Sequence, residues 1–405
     1  MANLLSFASI MKSIGGVALA ILILLAMVTI HEFGHYVAGK LLGFKINEFS
    51  VGFGPAIFKK RSKKTGELFA LRVIPLGGYC AFDGEDEGET VDEKPQEEPF
   101  SEYTETAEKE GNEGDRVETK DDYPEPKGER FNDQPPWKRI IVLLAGATMN
   151  YLLALLLIIL MFACVGRPVY AVVAPPQDWQ PSTPPQVENT LPEEERLRVG
   201  DVILKIDGEN MYMITDYMDA LKGRKAGEIV ELKVLRGGAE TSAKIILAQD
   251  ADFVNLSDTY TLLYAMDIYG LTTETVRQSF LKNIGHSFAY SVKIGGTVLR
   301  SLGELLTGKL GLDAMGGPIT TIQITSQAAS ASFASFLNIA AFIGVNLAVF
   351  NLLPIPALDG CKVIFCIIEW IRKKPVNRKV EAMIHFIGLL FIFGFAILVD
   401  LLQLF

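Results

Sequence analysis

The chain has 405 residues, of which 49% are hydrophobic, and its mean hydropathy is +0.26. That is too apolar for an ordinary soluble enzyme and long enough for a membrane core plus a soluble domain. The net charge of −10 excludes little about partners, because Asp83 to Asp133 alone carries 21 acidic and 6 basic residues; no nucleic-acid partner is expected.

In chain order, residues 1–39 hold the first predicted span. It runs without an acidic or basic side chain from Ser13 to Ile30 and then meets His31-Glu32-Phe33-Gly34-His35. On a helix, residues four apart share a face, so His31 and His35 can aim imidazole nitrogens at one metal, with Glu32 beside them. Neutral imidazoles suit zinc, whose bound water has its pKa drawn towards 7, and a carboxylate can take that water's proton. In a soluble helix a chance match of five letters would be a serious rival. In a membrane each ionisable residue at depth costs about 2.5 to 3.5 kcal/mol, so three together imply a compensating partner. The span lacks the basic n-region and small-residue cleavage site of a removable signal peptide and is expected to stay.

Residues 40–82 begin with Lys40, Lys45, Lys59, Lys60, Arg61, Lys63 and Lys64 and contain two glycine-rich runs. Residues 83–136, acidic and interrupted by Pro95, Pro99, Pro124 and Pro126, read as a disordered insert. Residues 137–166 form the second span. Residues 167–250 turn soluble: Arg198-Val199-Gly200-Asp201-Val202-Ile203-Leu204-Lys205-Ile206-Asp207-Gly208 looks like the central strand and turn of a PDZ domain, and Glu231 to Gly238 like a strand entering a turn. Where a Gly-rich ligand loop is usual, a proline-rich stretch runs from Pro175 to Pro192.

In residues 251–331, Val276, Phe280, Ile284 and Phe288 recur at four-residue spacing, which predicts an amphipathic helix followed by a linker that turns at Gly316-Gly317-Pro318. Residues 332–360 are the third span, 361–380 a basic loop with Arg372, Lys373, Lys374, Arg378 and Lys379, and 381–405 the fourth span. The basic clusters after the first span and before the fourth predict that both loops are cytoplasmic. The soluble module then lies outside the cytoplasm. The four cysteines have no repeat spacing, and no disulfide framework is expected.

Two histidines leave zinc short of a protein ligand. Asp359 is the candidate. It closes Asn351-Leu352-Leu353-Pro354-Ile355-Pro356-Ala357-Leu358-Asp359-Gly360, where two prolines break the third span beside a carboxylate. Such irregular backbone is tolerated at membrane depth only where protein or water lines it; an ordinary span exit is the rival reading. Cys361 follows, but a catalytic zinc needs an open position, so Cys361 is read as packing.

The two motifs, in this order and in membrane spans, resemble the site-2 protease family of intramembrane zinc metalloproteases, in its bacterial anti-sigma-factor-cleaving form with a PDZ domain. The resemblance implies a polytopic α-helical membrane protein with four transmembrane helices, a membrane-associated β-hairpin and one extracytoplasmic PDZ-like α+β domain. It implies Zn2+ held by His31, His35 and Asp359, with Glu32 as general base. Phe49 to Pro55 and Ile74 to Tyr79 look like the segments flanking the family's hairpin, where Gly77 and Gly78 permit close backbone approach and substrate contact. Asn351 matches a substrate-binding asparagine of the family, and Asn346 lies on the same broken span; structural capping is the rival role.

The implied activity is hydrolysis of peptide bonds within transmembrane segments, such as pre-trimmed anti-sigma factors or signal-peptide remnants, in the bacterial inner membrane with the active site towards the cytoplasm. The expected partners are transmembrane protein substrates and the lipid bilayer. A catalytically idle scaffold binding partners through its PDZ-like domain is the alternative, and intact Glu32 argues against it. An ion transporter would need more in-membrane polar residues than Asn150, Asn346 and Asn351.

Overall fold

The computed structural model describes residues 7–85, 123–174, 190–249, 251–256, 258–268, 270–311 and 315–404. Most of the acidic insert and of the proline-rich stretch lies outside them. In chain order the elements are α1 (Phe7–Leu42), β1 (Ile46–Arg61), β2 (Leu68–Phe82), α2 (Pro136–Cys164), β3 (Arg167–Val172), β4 (Val202–Ile206), β5 (Glu209–Asn210), α3 (Ile214–Leu221) and β6 (Ile229–Arg236). They continue with β7 (Ala239–Ile246), α4 (Thr259–Ala265), β8 (Leu271–Val276), α5 (Phe280–Leu306), α6 (Pro318–Ala331), α7 (Phe333–Leu352), α8 (Asp359–Arg372) and α9 (Arg378–Leu404). Two compact units result, one of Met1–Ile158 with Ser291–Phe405 and one of Ile159–Tyr290.

Among the described residues, four helices are long and apolar enough to cross a membrane: Ile14–Leu42, Pro136–Cys164, Phe333–Leu352 and Arg378–Gln403. These are the four expected spans. Without a hydrophobic drive between helices in lipid, small residues set how closely they approach. A Cβ on Gly34 of α1 would lie 2.8 Å from the Ala145 carbonyl carbon of α2, and one on Gly344 of α7 would lie 2.9 Å from Ala154 Cβ. Gly34 thus meets the α2 backbone and Gly344 the Ala154 methyl, at approaches a side chain would prevent.

Asp400, a buried acid in α9, has its charge answered by a helix end. Ile319 N–H donates to its Oδ2 at 3.0 Å and Thr320 N–H to its Oδ1 at 3.3 Å, at the N-terminus of α6. Gly316-Gly317-Pro318 therefore opens a separate 14-residue helix rather than the third span itself.

A second difference concerns 361–380, expected as a basic loop. Its first half is α8, with Val363 and Cys366 on the buried face, Asp359 in the first turn and Arg372 in the last. The charged termini suit the helix dipole, and the basic cluster masked the helical period. Lys373, at φ +53, ends it.

In the second unit, β7-β6-β4-β3-β8 form an antiparallel sheet with β5 paired to β4. Ile203, Ile206, Val230, Leu232, Val234 and Ala243 pack with Tyr217 and Leu221 of α3 into its core. Asp207 and Gly208 both have positive φ, as a two-residue hairpin between β4 and β5 demands. Asp201, 1% exposed, binds Arg236 at 2.6 Å and accepts from Arg198 N–H at 2.8 Å. The unit extends past the expected boundary at 250. Val276 belongs to β8, where it opposes Arg167, and the amphipathic helix starts at Phe280. Four-residue spacing across Val276 and Phe280 hid the strand end.

One ion pair ties α8 to α2. Arg139, 1% exposed, donates to Glu369 at 2.6 Å. Removing one partner of such a pair leaves a buried charge uncompensated, at a cost of about 3 kcal/mol or more. Glu369→Ala is therefore expected to lower the thermal unfolding midpoint in detergent strongly, and Arg139→Met with Glu369→Leu to recover most of the loss. An unchanged midpoint in Glu369→Ala would show that the pair does not hold α8.

Candidate metal centre

His31 and His35 sit one turn apart on α1, both under 9% exposed, with their rings edge to face and centroids 4.7 Å apart. Asp359, at the first position of α8, meets them from the far end of the chain. His31 Nε2 and Asp359 Oδ2 are 3.0 Å apart, His35 Nε2 and Asp359 Oδ2 3.4 Å, and the two Nε2 atoms 3.1 Å. Among the described residues these three form a group able to hold a metal ion.

The donor set fits zinc. Ligands at roughly 2.0–2.1 Å from a tetrahedral centre stand about 3.3 Å from one another, close to all three observed separations. Two imidazoles and one carboxylate also leave a fourth position open. Cys361 is buried, outside the group, and its thiol remains packing.

What surrounds the imidazoles fixes their orientation. His35 Nδ1 is 2.8 Å from the Val142 carbonyl, so Nδ1 carries the hydrogen and Nε2 keeps its lone pair. His31 Nδ1 faces the amides of Asn150 and Asn351, each at 3.4 Å. Among the described residues, Asn150 Oδ1 is buried without a partner. Amide orientation is an assignment from the hydrogen-bond network, and turning this one would set the orphaned oxygen to accept from His31 Nδ1–H. Both histidines then present bare Nε2 atoms to Asp359.

Val142, Gly146 and Asn150 recur every four residues on α2, so one stripe of that helix backs both rings. Gly146 lies where no side chain fits: a Cβ there would be 2.7 Å from His31 Cε1 and closer still to His35 Nε2. Sequence reading overlooked Val142 and Gly146 and gave Asn150 no role here. The stripe's four-residue period beside HEFGH was the available signal for Gly146 and Asn150; a main-chain carbonyl such as that of Val142 has none.

Glu32 lies within electrostatic reach of His31, His35 and Asp359. A Cβ on Gly78 would be 3.5 Å from Glu32 Cγ and 2.8 Å from the Ser50 carbonyl, so Gly78 is the point where β2 meets the glutamate. Gly77, at φ +132, is packed against the Phe53 ring. Asn351 is brought to His31, whereas Asn346 donates to the Phe342 carbonyl at 3.1 Å within its own helix.

The hairpin is held to the same helix that carries the histidines. Buried Glu67, at its turn, accepts from Tyr36 at 3.0 Å and pairs with Lys40. Across the strands, Arg72 donates to Ser50 Oγ at 2.9 Å, to the Gly54 carbonyl at 2.7 Å and to Glu48 at 2.8 Å. Tyr79 donates its hydroxyl to Glu48 at 2.9 Å, and burial, followed by that carboxylate, pushes the hydroxyl above its ordinary range.

A family model described as peptidase family M50 matches residues 19–395. The regulator of sigma-W protease RasP of Bacillus subtilis is 28% identical, with 92% of this chain and 94% of that protein covered. The zinc metalloprotease RasP of Bacillus licheniformis matches with the same identity and coverage. A putative zinc metalloprotease of Clostridium perfringens is 29% identical over 94% of this chain and 96% of its own. Among solved structures, the PDZ domain of an SdrC-like protein from Listeria monocytogenes aligns with 21% of this chain and 74% of that one at 24% identity, with a TM-score of 0.15, too low to carry an argument. A family match running from the first span into the fourth, over a helix built around His31, Glu32 and His35, means that the chain belongs to peptidase family M50, the site-2 proteases, and is a zinc metalloprotease.

Proposed function

We propose that this protease hydrolyses peptide bonds within transmembrane segments of membrane proteins, with His31, His35 and Asp359 holding zinc and Glu32 acting as general base. The observation that carries the reading is the set of three donor atoms 3.0 to 3.4 Å apart with Glu32 alongside. Zinc bound there supplies Lewis acidity and lowers the pKa of a water. Glu32, beside the three donors, would take a proton from the attacking water and pass it to the leaving amine. The β2 backbone at Gly77 and Gly78, beside Glu32, presents an edge on which an unwound substrate segment can pair as an added strand. Asn351, whose amide lies 3.4 Å from His31 Nδ1, is near enough to the metal group to bind a substrate carbonyl; Asn346 serves substrate from elsewhere on α7.

The same reading places the protein in a bacterial inner membrane. The Lys and Arg that follow the first span and precede the fourth favour a cytoplasmic site for the catalytic end. Residues 167–250 are then the PDZ-like domain on the outer side, and the substrates are pre-trimmed single-span proteins. That the regulator of sigma-W protease RasP is a relative supports membrane-protein substrates in general.

Two outcomes test the proposal. Glu32→Gln is expected to keep one zinc per chain yet lose at least about 100-fold in cleavage of a single-span protein; wild-type turnover would remove Glu32 from the role. Gly146→Ala is expected to displace the imidazoles and weaken zinc retention against a chelator by about ten-fold. Undiminished retention would mean that the two rings do not share the metal.

A further inference from the structure

The loop that delivers Asp359 is short and bent. Pro354 and Pro356 stop α7, Ile355 N–H turns back to the Leu353 carbonyl at 2.8 Å, and Leu358 N–H reaches the Ile355 carbonyl at 3.1 Å. Between them Ala357 takes φ +76, a left-handed conformation that a residue with a Cβ adopts only when its surroundings impose it. Asp359 follows two residues later.

What imposes it comes from α9. Ala357 N–H donates to His385 Nδ1 at 3.0 Å. One turn on, Gly388 presses against Pro356, so closely that a Cβ would lie 2.7 Å from the Pro356 carbonyl carbon and 2.8 Å from its oxygen. On the other side of the loop, Gly360 leaves no room for a side chain against the Leu352 and Leu353 backbone. His385 also meets the Phe365 ring of α8, with centroids 5.8 Å apart. Accepting at Nδ1 puts the imidazole hydrogen on Nε2, which is buried and has no hydrogen-bond partner among the described residues; His385 also lines a cavity of about 700 Å³ with Arg139, Lys362 and Met383. The ring is therefore oriented by its contact with Ala357 rather than by a bond on its far side.

We propose that His385 is a positioning residue for the metal centre: by holding Ala357 in its left-handed turn it sets Asp359 Oδ2 at the separation from His31 and His35 that a shared zinc needs. The inference rests on the reading of Asp359 as a ligand. His385 touches neither the metal group nor substrate and acts through two residues of backbone.

The chemistry separates this role from simple packing. An asparagine at 385 places Oδ1 where imidazole Nδ1 lies and keeps the acceptor for Ala357. A glutamine carries its amide at the position of Nε2 and leaves Ala357 N–H unanswered. Both are polar and of similar bulk. Ala357→Gly adds a third handle, since glycine adopts positive φ without penalty and needs no outside support.

The test uses the full-length protein in detergent, stripped of metal and titrated with Zn2+, then with Co2+ to record the visible absorption of the bound ion. His385→Gln is expected to weaken zinc binding about ten-fold, in the range seen for partners that orient ligands, and to alter the cobalt spectrum. His385→Asn should bind and absorb like wild type, and Ala357→Gly should restore most of the loss in the His385→Gln background. Equal affinity and spectrum in Gln, Asn and wild type would overturn the inference, as would equal loss in Gln and Asn with no rescue by Ala357→Gly. Asp359→Ala separates the two claims: wild-type affinity there overturns the ligand reading and this one with it, whereas loss there with none in His385→Gln overturns this one alone.

Discussion

Two imidazoles and a carboxylate, with donor atoms 3.0 to 3.4 Å apart, meet where α1, one of four helices apolar enough to cross a membrane, reaches the start of α8. Groups of this kind are too costly at membrane depth to persist without compensation, and the constraint propagates outward. It requires that α1 and α8, more than 300 residues apart in sequence, meet at one point, and that each imidazole be held by its other nitrogen. Val142 and Asn150 meet the second demand from a single face of α2, and Gly146 between them leaves the rings room.

The rest of the membrane unit can be understood as support for that point. Arg139 and Glu369 tie α8 to α2, and Asp400 answers the open end of α6 from α9. Glu67 fixes the hairpin to α1 through Tyr36 and Lys40, which brings Gly78 against Glu32. The β2 backbone at Gly78 and the Glu32 carboxylate of α1 are thus held side by side. The loop from Leu353 to Leu358, by contrast, owes its shape to α9, a helix with no residue in the metal group.

Much of this was legible in the residues because the membrane makes patterns sharp. Four apolar runs of about 20 residues identified the spans, and HEFGH and NLLPIPALDG gave the two halves of the site. Other parts obey weaker signals. The helical period of α8 lay under a basic cluster, and β8 lay under a spacing that continued into α5. The Val142 carbonyl belongs to no side chain at all. Gly146 and Asn150 did carry a period, but a glycine in an apolar helix ordinarily reports only close packing, and its meaning appears once two imidazoles lie against it. The partnership of His385 with Ala357 joins residues of opposite roles and has no local pattern.

X-ray absorption at the zinc edge of the full-length protein reads the proposed ligand shell directly. Two imidazoles and a carboxylate predict a four-coordinate shell of nitrogen and oxygen at about 2.0–2.1 Å, with outer-sphere scattering from two histidine rings. A sulfur scatterer at about 2.3 Å would place Cys361 or another cysteine on the metal and contradict the assignment of His31, His35 and Asp359 as the protein's complete ligand set.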